Sequence, residues 1–300
     1  MQTGNDCLVC FMRQALAAVR RSTDDPQEQW RLIAEVGGML SGFDPQLPSP
    51  ENAVLFYRHI ARSTGVADPY LNEKRESNGF ALALEARTRE LILQEADPLL
   101  AAVQFAINAN VLDYGAQYRL DREAALASCR QPLAIDHYAA LRQQIEQKPA
   151  ILYLADNCGE IVFDKLLVEL LLAKGCRVTL AVRQAPIIND ATRDDAVRCG
   201  LAQLCPVIDN GADVPGTPLA SCSAAFRHHF AEADCIISKG MGNFECLSEI
   251  QAPLFFLFTV KCTTVLKYLS RRFVDAGLRI GSPVLLRGGQ DTPGNESRAV

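Results

Sequence analysis

Two acid–amide pairs, each placed beyond an apolar run, are the residues best suited to chemistry. Asp156-Asn157 follows the run Ile151 to Ala155, and Asn189-Asp190 lies beyond the run Arg177 to Val182. Asp156, Asn157 and Asp190 together offer two carboxylates and an amide oxygen. Such an oxygen-only set suits a hard divalent cation such as Mg²⁺ or Mn²⁺. The plainer explanation is helix capping, by Asp156 for the segment after it and by Asn189 or Asp190 for the next. Pattern alone favours capping.

The elements that would position these residues read as a strand–helix–strand unit. After Asp156-Asn157-Cys158-Gly159-Glu160, the residues Ile161, Leu166, Leu167, Leu170 and Leu171 recur at helical spacing, and Gly175 closes the segment. Short apolar strands joined by a helical crossover imply a parallel sheet. In open parallel sheets ligands bind outside the carboxyl ends of the strands. Both clusters are therefore expected to face one crevice.

Other candidates are weaker when taken singly. The segment Ser238 to Leu247, SKGMGNFECL, follows the run Cys235 to Ile237. Gly240 and Gly242 permit close backbone approach to a ligand, and Lys239 and Asn243 could meet an anionic group. An ordinary strand-to-helix turn explains the same residues, and neither P-loop nor GxGxxG spacing is present. Lys261 ends the apolar run PLFFLFTV, where it would bring positive charge to the crevice or simply snorkel from a strand end. Cys7 and Cys10 form a CxxC, which binds Zn²⁺ with a partner pair or does redox chemistry, yet no second CxxC exists. The four histidines, His59, His137, His228 and His229, share no metal or triad spacing, and there is no GxSxG elbow.

Composition narrows the classes. With 35 acidic and 30 basic residues the formal charge is −5, and no basic stripe supports a nucleic-acid partner. The start MQTGNDCLVC has no basic region leading into an apolar core, and no segment is long and uncharged enough to span a bilayer. A soluble cytoplasmic protein is expected. Eleven cysteines, an odd number set largely in apolar runs, then read as reduced core thiols.

Along the 300 residues the pattern changes near Lys148-Pro149. Before it, helical periodicity dominates: Cys7 to Arg21, Pro26 to Leu40, Ala53 to Thr64, Leu71 to Gln94, a segment from Asp97-Pro98 to Asn110, Leu120 to Cys129, and Asp136 to Gln147. After it, β-type runs recur at Ile151–Ala155, Val178–Val182, Cys205–Ile208, Cys235–Ser238 and Leu254–Val260, with helices at Leu219 to Glu232 and Cys262 to Phe273. Alternating strands and helices imply a Rossmann-like three-layer α/β sheet, preceded by an all-helical region. The expected domains are 1–148 and 149–286, with a polar Gly/Pro-containing tail, 287–300, expected to be disordered.

In order, DNCGE, APIINDAT, ISKGMGNFE and TVKC resemble the damage-control phosphatase family, also called domain of unknown function eighty-nine. The helical half carries further matches in CLVC, DPYLNEKRESN and DPLLAAVQFAINANVLDYG, so the likeness runs from Cys7 to about Leu286. The CxxC and the Lys261-Cys262 pair resemble the family's first subfamily. The resemblance implies a helical domain on a Rossmann-like domain, with a metal-dependent phosphatase site between them. It implies metal ligation by Asp156, Asn157 and Asp190, and phosphate binding by Lys261 and the loop Met241 to Glu245. Met241 stands where Gln is usual in the family, and Asn108-Ala109-Asn110 where Ala-Gly-Asn is typical.

Phosphoester chemistry agrees with that implication, because a divalent ion and a lysine neutralise phosphoryl oxygens. Lys239, Gly240, Met241, Gly242, Asn243 and Glu245 are the residues expected against the substrate, with Asp156, Asn157, Asp190 and Lys261 as the catalytic set. The ion is expected to be Mn²⁺, Ni²⁺, Co²⁺ or Mg²⁺, all compatible with this donor set, and the partner a small phosphorylated metabolite in a metabolite-repair role. Two routes stay open: direct attack by Asp156, or attack by water with Asp156 or Asp190 as base. Glu160 reads either as a supporting group or as a carboxylate favoured by a helix N-terminus. Lys74 and Asn78, four apart on one helical face, read as a substrate contact or, more plainly, a solvated pair. An S-adenosylmethionine-dependent methyltransferase is the alternative on the same sheet, although DNCGE lacks a glycine-rich first turn. A metal- or thiol-binding regulatory protein built on Cys7 and Cys10 is the third reading.

Overall fold

The computed structural model describes residues 1–109 and 126–289. Asn110, residues 120–125 of the expected Leu120 to Cys129 helix, and residues 290–300 of the expected tail lie outside the described residues.

The leading segment is helical, as its periodicity requires. Helices span Asn5–Ser22, Pro26–Met39, Ser49–Thr64, Leu71–Gln94 and Pro98–Asn108. Prolines open three turns where a missing N–H costs nothing: Pro26, Pro50 and Pro98. Asp25 and Asp97 accept hydrogen bonds from the backbone N–H of Gln27 and Leu100. The first three helices enclose a core of Phe11, Ala15, Leu32, Val36, Phe56 and Ile60. The helix Pro98–Asn108 is apolar on all sides because it is buried on all sides, between the helix Glu160–Ala173 and the sheet.

Among the described residues the sheet has seven strands: β1 (Ile135–Asp136), β2 (Ala150–Leu154), β3 (Arg177–Val182), β4 (Val207–Asp209), β5 (Cys235–Lys239), β6 (Leu254–Thr259) and β7 (Pro283–Arg287). Their order is β1-β7-β6-β5-β2-β3-β4, with every pairing parallel except β6–β7. One apolar core lies between the sheet and the helices Leu71–Gln94, Pro98–Asn108 and Glu160–Ala173. A second, on the opposite face, joins Leu152, Leu154, Phe256 and Phe258 to the helices Ala224–Glu232, Met241–Leu247 and Thr263–Ser270. The three-layer α/β arrangement is thus present.

Two strands differ from the sequence reading. The sheet reaches back to β1, ahead of the expected boundary at 148, because Ile135 and Asp136 pair with Val284 and Leu285. It also gains β7, a run not singled out from the sequence, whose last residue, Arg287, is the first of the expected tail. The expected helix from Leu219 divides into a 3₁₀ turn, Leu219–Ser221, and the helix Ala224–Glu232, whose N-terminus is capped by Ser223. All eleven cysteines are free thiols. No helix among the described residues is long and apolar enough to cross a membrane.

Strand order matters for function. From β2 the chain moves outward to β3 and β4, then returns to β5 on the other side of β2. The β2–β5 junction is therefore a topological switch point, where diverging connections leave a crevice at the carboxyl ends.

Candidate functional site

The loops after β2 and β3 are joined into one structure. Asn157 and Asp190 form an isolated antiparallel bridge. The N–H of Cys158 donates to the carbonyl of Asn189 at 2.9 Å, and the N–H of Ala191 to that of Asp156 at 2.7 Å. Capping does not account for these residues. Gly159 is the N-cap of the helix Glu160–Ala173 and provides no side-chain cap, while Thr192 and Asp195 form a capping box on the helix Arg193–Arg198. Neither Asp156 nor Asp190 caps these helices.

Their surroundings are highly charged and almost dry. The amide nitrogen of Asn157 donates to Asp156 Oδ2 at 3.0 Å and to Glu160 Oε1 at 2.9 Å. Arg183, at the end of β3 and 2 % exposed, donates from Nε to Asp190 Oδ2 at 2.6 Å. Nη2 of the same guanidinium lies 3.7 Å from Asp156 Oδ1 and donates to Asn243 Oδ1, and Nη1 donates to Thr217 Oγ1. Sequence reasoning missed Arg183. Its only signal was an arginine closing an apolar strand, which elsewhere marks a surface.

A second buried cation lies behind the first layer. Lys239 Nζ donates to Asp164 at 2.6 Å and to Glu160 at 3.2 Å, and the hydroxyl of Tyr153 donates to Asp164 at 2.7 Å. Burial lifts the Asp164 carboxyl to about 6, with Lys239 opposing. Burial also works against the charge of Lys239, but Asp164 and Glu160 outweigh it and its pKa is raised. Burial pushes Asp156 well above the usual carboxylate range, Asp190 and Glu160 push it further, and Arg183 and Lys261 oppose them. Four buried carboxylates, Asp156, Glu160, Asp164 and Asp190, thus face two buried cations, Arg183 and Lys239.

A small pocket opens over this cluster, lined by Ile107, Asp156, Glu160, Gly240, Met241, Phe258, Thr259 and Lys261. Lys261, exposed at its mouth, sits one residue beyond Val260 at the end of β6. Gly240 adopts φ 79° and ψ 162°, and a Cβ there would fall 2.0 Å from Asp156 Oδ2. Only glycine leaves room for that carboxylate. The rest of the expected substrate loop turns inward. Lys239 is fully buried on Asp164 and Glu160. Asn243 is fully buried, donating to the carbonyls of Ala155 and Lys239, and Glu245 accepts from the hydroxyl of Ser49. Gly242 packs on Pro215, where a Cβ would meet the carbonyl oxygen at 2.6 Å. Of the residues expected against the substrate, Lys239, Asn243 and Glu245 are thus paired within the protein, as buried polar groups must be, and Gly242 packs on Pro215.

The donor set fits a divalent cation in kind. Asp156, Asn157 and Asp190 present oxygens from two adjoining loops, Gly240 keeps space beside Asp156, and the cluster is short of positive charge. Among the described residues no three His, Cys, Asp or Glu side chains are gathered at metal-ligating distance. The set therefore depends on the amide of Asn157 and on Asp190 exchanging part of its contact with Arg183.

Lys74 and Asn78 are not a solvated pair. Both are buried, on the face of the helix Leu71–Gln94 that meets these loops. The CxxC lies elsewhere: Cys7 Sγ is 3.8 Å from Thr264 Oγ1, and Cys10 Sγ accepts from Gln14. Neither cysteine lines the pocket.

Residues 3–274 match the family model of the damage-control phosphatase ARMT1-like domain. An uncharacterized protein of Methanocaldococcus jannaschii is 32 % identical over 94 % of both chains. A damage-control phosphatase of Pyrococcus horikoshii is 31 % identical over 90 % of this chain and 94 % of its own. One from Archaeoglobus fulgidus is 28 % identical over 93 % and 96 %. The crystal structure of a DUF89 family protein from Pyrococcus horikoshii superposes with a TM-score of 0.85 at 30 % identity, covering 96 % of this chain and all of the other.

Proposed function

Since the chain belongs to the damage-control phosphatase ARMT1-like family, we propose that it is a divalent-metal-dependent phosphatase acting on small phosphorylated metabolites, among them sugar phosphates and damaged phosphometabolites. The observation that carries the reading is the bridge between Asn157 and Asp190, which joins their loops next to Asp156, itself on the wall of a pocket that Lys261 also lines.

Asp156, Asn157 and Asp190 would hold the ion. When bound, it neutralises phosphoryl oxygens and increases the electrophilicity of phosphorus. Glu160 accepts from the Asn157 amide nitrogen and so fixes the rotation of an amide whose oxygen would be a ligand. Lys261, on its flexible stem, neutralises a further phosphoryl oxygen as charge builds in the transition state. Gly240 and Met241 form the wall against which the phosphate rests, and Met241, Ile107 and Phe258 give the rest of the substrate an apolar surface. Hydrolysis adds water to phosphorus and breaks the ester P–O bond, releasing inorganic phosphate and an alcohol.

The test is phosphate release from p-nitrophenyl phosphate by EDTA-treated protein titrated with Mn²⁺, Ni²⁺, Co²⁺ and Mg²⁺. Asp156→Ala and Asp190→Ala proteins run alongside. The expected result is activity restored by metal in the wild type and absent from both variants. No release with any ion, from folded protein, would sink the reading.

A further inference from the structure

A single side chain on the helix Leu71–Gln94 touches both loops that carry the proposed ligands. Asn78 Oδ1 accepts the backbone N–H of Gly159 at 2.7 Å, and Asn78 Nδ2 donates to Asp195 Oδ1 at 3.0 Å. Gly159 closes the loop of Asp156 and Asn157. Asp195 governs the other loop, since its Oδ2 accepts from the N–H and the hydroxyl of Thr192, two residues beyond Asp190. Asn78 is 5 % exposed, so neither bond is readily exchanged for water.

We propose that Asn78 is a positioning residue that sets the spacing between the Asp156-Asn157 loop and the Asp190 loop. The inference rests on the metal-dependent reading above and deepens it. On their inner side the loops are pinned by Cys158 to Asn189 and by Ala191 to Asp156. Asn78 closes the outer side, accepting from one loop through its oxygen and donating to the other through its nitrogen. An amide suits this task because it carries both functions at a fixed separation. Lys74, one turn earlier, pairs with the second loop by charge: its Nζ lies 3.7 Å from Asp195 Oδ2 and 3.1 Å from Asp68. Through Asn78 the helical segment determines how far apart the proposed ligands stand.

The isosteric change Asn78→Asp separates the two functions. The new carboxylate still accepts from Gly159, but it faces Asp195 with charge of the same sign and drives the loops apart. Asn78→Ala removes both bonds. Thr88→Ala is the control: Thr88 is buried on the same helix and donates only to the carbonyl of Leu84 within it. Calorimetric titration of EDTA-treated protein with Mn²⁺ reads ion affinity without activity, and thermal unfolding of the ion-free proteins reads stability. The expected result is Mn²⁺ affinity reduced about 10–100-fold in both Asn78 variants, the usual scale for groups that orient metal ligands. The kcat at saturating Mn²⁺ should be largely recovered in both, while Thr88→Ala should melt earlier with wild-type affinity. Unchanged Mn²⁺ affinity in Asn78→Asp and Asn78→Ala would overturn the proposal. So would an equal loss in Thr88→Ala, because the helix would then matter only as structure. Wild-type protein that binds no divalent ion would instead overturn the metal-dependent reading itself.

Discussion

Gly240 and Asp156 share space that only the absence of a side chain leaves open: a Cβ at 240 would lie 2.0 Å from Asp156 Oδ2. Residue 240 also occupies a backbone region, φ 79° and ψ 162°, that is essentially reserved for glycine and costs other residues about 1–3 kcal/mol. Gly240→Ala should therefore both destabilise the protein and displace the carboxylate. Misplacement of a reacting group by about 1 Å is worth roughly a hundredfold in rate, and that is the expected loss in kcat/KM. Gly277→Ala is the comparison: Gly277 also has positive φ, 57°, but nothing lies within 4 Å of its would-be Cβ. It should lose about 1–2 kcal/mol of stability and keep its activity. Equal activity in the two variants would refute the steric argument.

Arg183 sits between two carboxylates and is nearly inaccessible to water. Removing one partner of a buried ion pair strands the other, at about 3–5 kcal/mol. Arg183→Met should show that loss in urea unfolding of ion-free protein. If Asp156 and Asp190 hold the ion as proposed, saturating Mn²⁺ should return part of it, since the ion would replace the missing positive charge. Arg183→Lys should remain well below wild type, because an ammonium cannot reproduce the fork that reaches Asp190, Thr217 and Asn243 together. A wild-type unfolding midpoint in Arg183→Met would remove this pair from the account of the site.

The strand–helix–strand unit was legible because apolar runs ending in polar pairs are a local signal. The sequence shows where β2 and β3 stop, and parallel topology puts both stops at one edge. Other features depended on tertiary contacts. Arg183 and Lys239 look like residues emerging from strand ends, and only the carboxylates facing them explain their burial. Asn78 and Lys74 have the spacing of a solvated pair, and nothing local reveals that Gly159 and Asp195 stand opposite. Strand β1 has two residues and takes its identity from pairing with β7, which itself begins with a proline. The capping reading of Asp156 and Asp190 failed because Gly159 and the Thr192–Asp195 box had already taken the helix ends.

Glu245 provides a test by pH. Burial raises its carboxyl from 4.5 to about 7, with the Ser49 hydroxyl opposing. Between those values the folded protein holds a proton that the unfolded chain has released, so stability falls as pH rises through the window. Above it the cost of keeping Glu245 charged is fully present, on the order of 3 kcal/mol for a shift of this size. Below it the cost is absent. Glu245→Gln should flatten this part of the stability–pH curve and gain most over wild type at alkaline pH. Parallel curves for the two proteins would contradict the assignment.

Lys239 offers the sharpest contrast between a substrate contact and an internal counter-charge. Its ammonium is fully enclosed by Asp164 and Glu160. Lys239→Met should cost about 3–5 kcal/mol, because two carboxylates then lack their partner. Asp164→Leu in the same chain should recover part of that loss, since apolar replacement of a buried pair is often neutral or stabilising. Glu160 would still lose a restraint, so the double variant should bind Mn²⁺ more weakly. Its KM for p-nitrophenyl phosphate at saturating Mn²⁺ should nevertheless stay at the wild-type value. Lys261→Met should do the opposite, raising KM and lowering kcat/KM while leaving stability intact. A raised KM in the Lys239→Met/Asp164→Leu protein would return Lys239 to the substrate, and would require the pocket to open further inward than its present lining.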